Sequence, residues 1–195
     1  MNERSRTSTW LRCLVVLAAL IVAAVAVGSF LLSRADGPVG ILAGGPLRSG
    51  ELVTLPDLDW NALDARHDLE LEIVGEGRSR TLWFSVHGGV PYVACDLDCV
   101  GGRLTRWPQQ IERDDRIVLR IDGKRIEGRL VHVPHGTPEY DVVRAGRLRK
   151  FSGAGSAGAA AEAAAHNAVV DVGETLTGRS KRSEPGDRLY RVDPR

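Results

Sequence analysis

Between Arg78 and Cys95, side chains alternate in a period of two on either side of a Gly-Gly pair. Leu82, Phe84 and Val86 interleave with Trp83 and Ser85, and beyond Gly88-Gly89 Tyr92 and Ala94 interleave with Val93 and Cys95. Successive side chains of a strand point to opposite faces, so this pattern around a two-residue break reads as a β-hairpin. A second hairpin follows, with Arg116 to Ile121 and Lys124 to Val133 joined at Asp122-Gly123. Asp-Gly suits a type I′ turn, whose two central residues both need positive φ. Leu69, Leu71 and Ile73 supply a further alternating run. Five short strands in succession leave exposed edges, and closing them into a small antiparallel barrel removes those edges.

The N-terminal part obeys a different rule. Residues 1–12 form a basic tail with Arg4, Arg6 and Arg12, and residues 13–32 contain no charge at all. At 1.5 Å per residue, about 20 helical residues cover roughly 30 Å, the thickness of a bilayer core. Trp10 stands at the edge, where an interfacial anchor belongs. The apolar core of a cleaved signal is usually only about 7 to 15 residues. The run here is longer and Ala24-Val25-Ala26 lies inside it, which favours an uncleaved transmembrane anchor over a signal peptide. The three arginines before the span outnumber Arg34 and Arg48 after it, so the positive-inside rule predicts a cytoplasmic N-terminus and an exported domain.

Residues 33–48, rich in Gly and Pro, read as a flexible tether. The barrel domain is expected over 49–151. It includes a short edge strand within 49–55, a helical turn near Trp60 capped by Asp57 or Asp59, and a short helix opened by Trp107-Pro108. Thr137-Pro138 caps a helix running to Lys150, whose basic end suits the helix dipole. Residues 152–186 are expected to form a Gly/Ala-rich helix and loop. Residues 187–195 read as a strand that returns to close the sheet.

A net charge of +1 gives no electrostatic footprint for nucleic acid, and none is expected as a partner. Three of the four Trp, namely Trp60, Trp83 and Trp107, fall in the central region. Cys13 lies in the apolar run, which leaves Cys95 and Cys99 as the one available pair. In an exported domain this Cys-x3-Cys reads as a disulfide, as two free thiols at a strand end, or, with Asp96 and Asp98, as metal ligands. No second cluster has ligand spacing, the five histidines are scattered, and no metal site is expected. No nucleophile elbow or phosphate-binding Walker loop is present, so catalytic residues stay unassigned.

The run from Leu69 to Val133 resembles the flavin- and deazaflavin-binding split β-barrel family, in particular its nitroreductase-like deazaflavin-dependent branch. Gly77-Arg78-Ser79-Arg80-Thr81 leading into Leu82-Trp83-Phe84, the Gly88-Gly89 hairpin before Tyr92-Val93-Ala94, Trp107 opening a short helix, and Asp115 to Lys124 carry the likeness. A membrane-anchored subgroup is also similar, through the anchor and the end Tyr190-Arg191-Val192-Asp193-Pro194-Arg195. The resemblance implies a mainly β fold with a few helices: a split antiparallel barrel preceded by one transmembrane helix. It implies that Arg78, Ser79, Arg80 and Thr81 contact the phosphate of a deazaflavin or FMN cofactor. Arg offers bidentate contact to phosphate, and hydroxyls and loop amides complete an anion pocket. A solvated strand entry is the other reading of these arginines. Trp83 and Trp107 either stack on the cofactor ring or pack in a core or groove.

Two functions follow from different premises. One is an anchored oxidoreductase in which the cofactor carries the chemistry and a lipophilic acceptor, such as a quinone or nitro compound, is reduced at the bilayer. The other is a cofactor-free anchored binding or assembly module. It is supported by a phosphate loop shorter than the family's and lacking Lys, and by export away from cytoplasmic nucleotide cofactors. In both, the lipid bilayer is a partner, and a homodimer is left open.

Overall fold

A computed structural model of the protein describes residues 3–40, 42–95, 107–151 and 188–195. Helix α1 (Glu3–Arg34) is followed by strands β1 (Glu51–Val53), β2 (Asp68–Ile73), β3 (Arg78–His87), β4 (Val90–Cys95), β5 (Arg116–Ile121), β6 (Lys124–Val133) and β7 (Arg188–Pro194). Short helices α2 (Trp60–Leu63) and α3 (Trp107–Ile111) and the longer α4 (Pro138–Phe151) lie between them. The strands pair in the order β1-β6-β5-β2-β3-β4-β7, and β7 also pairs with β6. That last pairing closes β6-β5-β2-β3-β4-β7 into a six-stranded antiparallel barrel. β1 adds in parallel to the start of β6, along the edge that β7 occupies further on.

Both expected hairpins form, with positive φ at Gly88 and Gly89 and at Asp122 and Gly123. Register follows the apolar alternation. Leu71 stands opposite Leu119, Phe84 opposite Val93, and Leu130 opposite Val192. These residues line the interior together with Leu69, Ile73, Ile117, Ile126 and Tyr190. A one-residue slip would turn each of them to the outside, so burial of one face fixes the pairing.

Helices close the two barrel ends. At one end Trp60 of α2 meets Phe84 edge-on at 6.3 Å and donates from its indole to the Leu55 carbonyl at 2.9 Å. The helix is capped by Asp59, which accepts from Ala62 N, while Asp57 accepts from Thr54 N and Oγ1. At the other end α3 inserts Trp107 and Ile111. Outside the barrel, α4 starts at Thr137, whose hydroxyl accepts from Tyr140 N, and covers β4 and β7. Tyr140 and Val143 form a second core with Tyr92, Ala94, Val133 and Leu189. Lys150 in its last turn donates to the Phe84 carbonyl and to Asp64.

α1 is built differently. From Arg12 to Arg34 it is long and apolar enough to cross a membrane. Its Leu, Val, Ile and Phe side chains are exposed all round, from Leu14 to Leu31. A helix apolar on every face and covered by no protein is suited to hydrocarbon.

Candidate functional site

The densest polar structure among the described residues lies where α1 meets the barrel. Within the stretch 33–48, expected as a flexible tether, residues 36–40 and 42–48 are laid along the outer face of β3, β2, β5 and β6 and bonded to it. Outward positions of neighbouring strands stand side by side, and their register sets Glu70 beside both Thr81 and Arg120, and Arg120 beside Arg125. Arg120 Nε donates to Glu70. Its Nη1 donates to Asp36 Oδ1 at 3.1 Å and to Ser49 Oγ at 2.9 Å, and its Nη2 to the Asp36 carbonyl at 3.1 Å. The Asp36 carboxylate also accepts from Arg48 N at 2.6 Å and Ser49 N at 3.2 Å. Hydrogen bonding from Ser49, then from the Arg48 amide, and the Arg120 charge together lower its pKa to about 2.

Further along, Leu47 is buried, and two oppositely charged side chains hold its backbone. Leu47 N donates to Glu72 Oε2 at 2.7 Å, and its carbonyl accepts from Arg125 Nη1 at 2.9 Å. Gly44 makes a two-bond bridge with Ser79, whose hydroxyl donates to the Gly45 carbonyl at 2.6 Å. Glycine is required here by close approach. A Cβ on Gly44 would stand 1.7 Å from the Gly37 oxygen, and one on Gly45 would lie 2.4 Å from Ala35 O and 2.5 Å from Ser33 O. The Gly/Pro composition that reads as slack in sequence lets two backbone segments touch at the helix exit.

The six residues expected to hold a cofactor occupy separate surroundings. Arg78 and Ser79 both bind the helix-exit segment, Arg78 through Nη2 to the Ala43 carbonyl at 3.2 Å. Arg80 stands opposite the interior residue Leu71 and reaches Gln110 of α3 at 3.3 Å. Its Nε is buried without a hydrogen-bond partner among the described residues. Burial first, and the Arg78 charge second, pull its pKa below the ordinary value. Thr81 faces outward and lines an open cleft of about 450 Å³ with Ser49, Arg66, Asp68, Arg120 and Asp122. Trp83 stacks on Phe151 at 5.0 Å, outside the barrel. Trp107 is buried at 2% exposure against Tyr190, at 5.1 Å. Among the described residues the six are therefore divided: Arg78 and Ser79 hold the helix exit, Arg80 reaches α3, Thr81 and Trp83 lie on the outer side, and Trp107 is in the core.

Cys95 is buried at the end of β4 and has no free thiol; Cys99, with Asp96 and Asp98, lies outside the described residues. Cys13 is free and exposed. Among the described residues no three His, Cys, Asp or Glu side chains gather as metal ligands. A second ionic group sits under α4, where Arg191 binds Glu139 and Asp193 and Tyr92 donates to Glu139 at 3.0 Å. Burial, then the Glu139 hydrogen bond and charge, raise the Tyr92 pKa to about 12.

The residues that sequence reasoning missed are Asp36, Glu70, Glu72, Arg120 and Arg125. For the last four the signal was present as charges at the outward positions of three alternating strands, but what they bind depends on register. Fold and clamp together define a class: a closed six-stranded barrel fastened by its outer face to the exit of a helix able to cross a membrane. No protein-family model matches the chain, and no curated protein matches it.

Proposed function

We propose that this chain is a membrane-anchored binding module whose barrel carries no flavin or deazaflavin and is displayed on the exported side of the membrane. The single observation that carries this reading is the dispersal of the expected cofactor residues. Arg78 and Ser79 fasten the helix exit, and Trp107 fills the core. The arginine excess before the span supports the orientation. The face offered to a partner is the open cleft beside the clamp, where Arg66, Asp68, Thr81 and Asp122 present both charges and a hydroxyl. Such a lining favours a polar, mixed-charge protein surface, and screening makes the contact salt-sensitive.

A second reading keeps the oxidoreductase that reduces a lipophilic acceptor. It is favoured by Arg80, a largely enclosed guanidinium whose Nε has no partner among the described residues and would be satisfied by an anionic group. Titration of the full chain in detergent with FMN and with deazaflavin cofactor separates the two. The module reading expects no saturable fluorescence change with either. Saturable binding overturns it. If Arg80→Ala then weakens affinity by about 10- to 150-fold, the value of one charge-assisted phosphate contact, Arg80 is the phosphate ligand.

A further inference from the structure

We propose that the hairpin at Val39–Leu42 is a second lipid contact, seated in the interfacial layer of the membrane that α1 crosses. The inference rests on the membrane-anchor reading and adds to it a defined seat for the barrel. From Gly37 to Leu47 the chain carries no charge, and Asp36 and Arg48 flank that stretch. Within it Val39 and Leu42 exchange two backbone hydrogen bonds, both 3.1 Å. Their side chains are half exposed, at 50% and 53%, so two apolar groups project side by side from a paired backbone. The paired backbone reduces the cost of entering a water-poor layer, where an unsatisfied amide is expensive.

Position selects lipid as the occupant. The base of the hairpin is pinched shut, with Gly44 against the Gly37 carbonyl and Gly45 against the carbonyls of Ser33 and Ala35 at the exit of α1. Val39 and Leu42 each lie two residues from that base, a reach of at most about 7 Å. The headgroup layer beyond the hydrocarbon core is about 5 to 7 Å deep on each side. The apolar pair is therefore confined to the neighbourhood of that layer, continuous with the surface α1 gives to hydrocarbon. Leu52 and Leu148 are as exposed but project singly, which is ordinary for a protein surface.

The test uses the full chain in lipid nanodiscs, in a Cys13→Ser background. A spin label is placed in turn at Leu42→Cys, at Val22→Cys in the middle of the span, and at Leu148→Cys on α4. Protein without an added cysteine sets the labelling background. Power saturation compares collisions with oxygen, which concentrates in lipid, and with a water-soluble nickel chelate. The oxygen-to-nickel ratio at Leu42 is expected to be severalfold above that at Leu148 and to rise toward that at Val22. A Leu42 ratio equal to that of Leu148, with Val22 still lipid-like, overturns the hairpin contact alone. A water-like ratio at Val22 overturns the anchor and the hairpin contact with it. Val39→Cys repeats the measurement should the Leu42 variant lose its wild-type thermal melt.

Discussion

Arg120 joins three parts of the chain at once, binding Glu70 on the neighbouring strand, Asp36 at the helix exit and Ser49 before β1. Its side chain is 14% exposed, against 36% for Asp36 and 29% for Glu70, so the partners keep some water and screening weakens each pair. Arg120→Ala is expected to cost about 1 to 3 kcal/mol, measured by urea unfolding of the full chain in detergent. Arg120→Lys should recover only part of it, because a point charge cannot span the fork that meets Glu70 and Asp36 together. The pH dependence has a defined sign. Asp36 has a folded pKa of about 2, below its ordinary 3.8, so its contribution is complete above 3.8 and is lost as pH falls toward 2. Protection of the Arg48 and Ser49 amides, which donate to Asp36, should fall over that window in hydrogen exchange. Asp114, lowered to about 2 by Arg116, titrates over the same range, so Asp36→Asn is the control that assigns the change to the clamp.

At the scale of elements, α4 is held by an apolar face and an ionic edge. Tyr140 is 1% exposed, and Tyr140→Ala should destabilise by about 2 to 4 kcal/mol, read by chemical unfolding. Alkaline pH should loosen the same helix. The Tyr92 pKa is raised from 10 to about 12, so its stabilisation is present below 10 and disappears as pH rises through 12. Phenolate absorbance titration checks it. The strands, hairpin turns and helix caps were legible because each has a local cause: alternation around Phe84, positive φ at Asp122-Gly123, and the Thr137 hydroxyl over the first turn of α4. What Arg78 and Ser79 hold was not legible, since it depends on a segment 34 or 35 residues away in sequence. The contacts of residues 36–40 and 42–48 were hidden for a related reason. Glycine marks both slack linkers and tight crossings, and only the neighbouring backbone tells them apart. The separation of Trp83 from Trp107 was hidden likewise. Strand parity puts Trp83 outside, whereas Trp107 owes its burial to α3 plugging a barrel end.

For the molecule as a whole, β7 decides whether there is a barrel. It pairs with β4 over Arg188 to Arg191 and with β6 over Leu189 to Pro194, and it brings Tyr190 and Val192 into the core. Deleting residues 188–195 should leave two open edges and an exposed interior. The expected outcome is aggregated, protease-sensitive protein where the intact chain is monodisperse, checked by size exclusion and limited trypsin digestion in detergent.

The pairing of β7 with β6 also has a temporal consequence. The roughly 55 residues between Val133 and Arg188 take about 3 to 11 s to assemble at about 5 to 20 residues per second. Throughout that interval the newborn chain is an unclosed sheet, with β4 and β6 each lacking a neighbour. Hairpins fold within microseconds, so the first five barrel strands are ready long before the sixth is synthesised. Biogenesis, not the speed of folding, then sets how long the interior is open to misassociation, and a cell making this protein has to shield an incomplete cylinder for seconds.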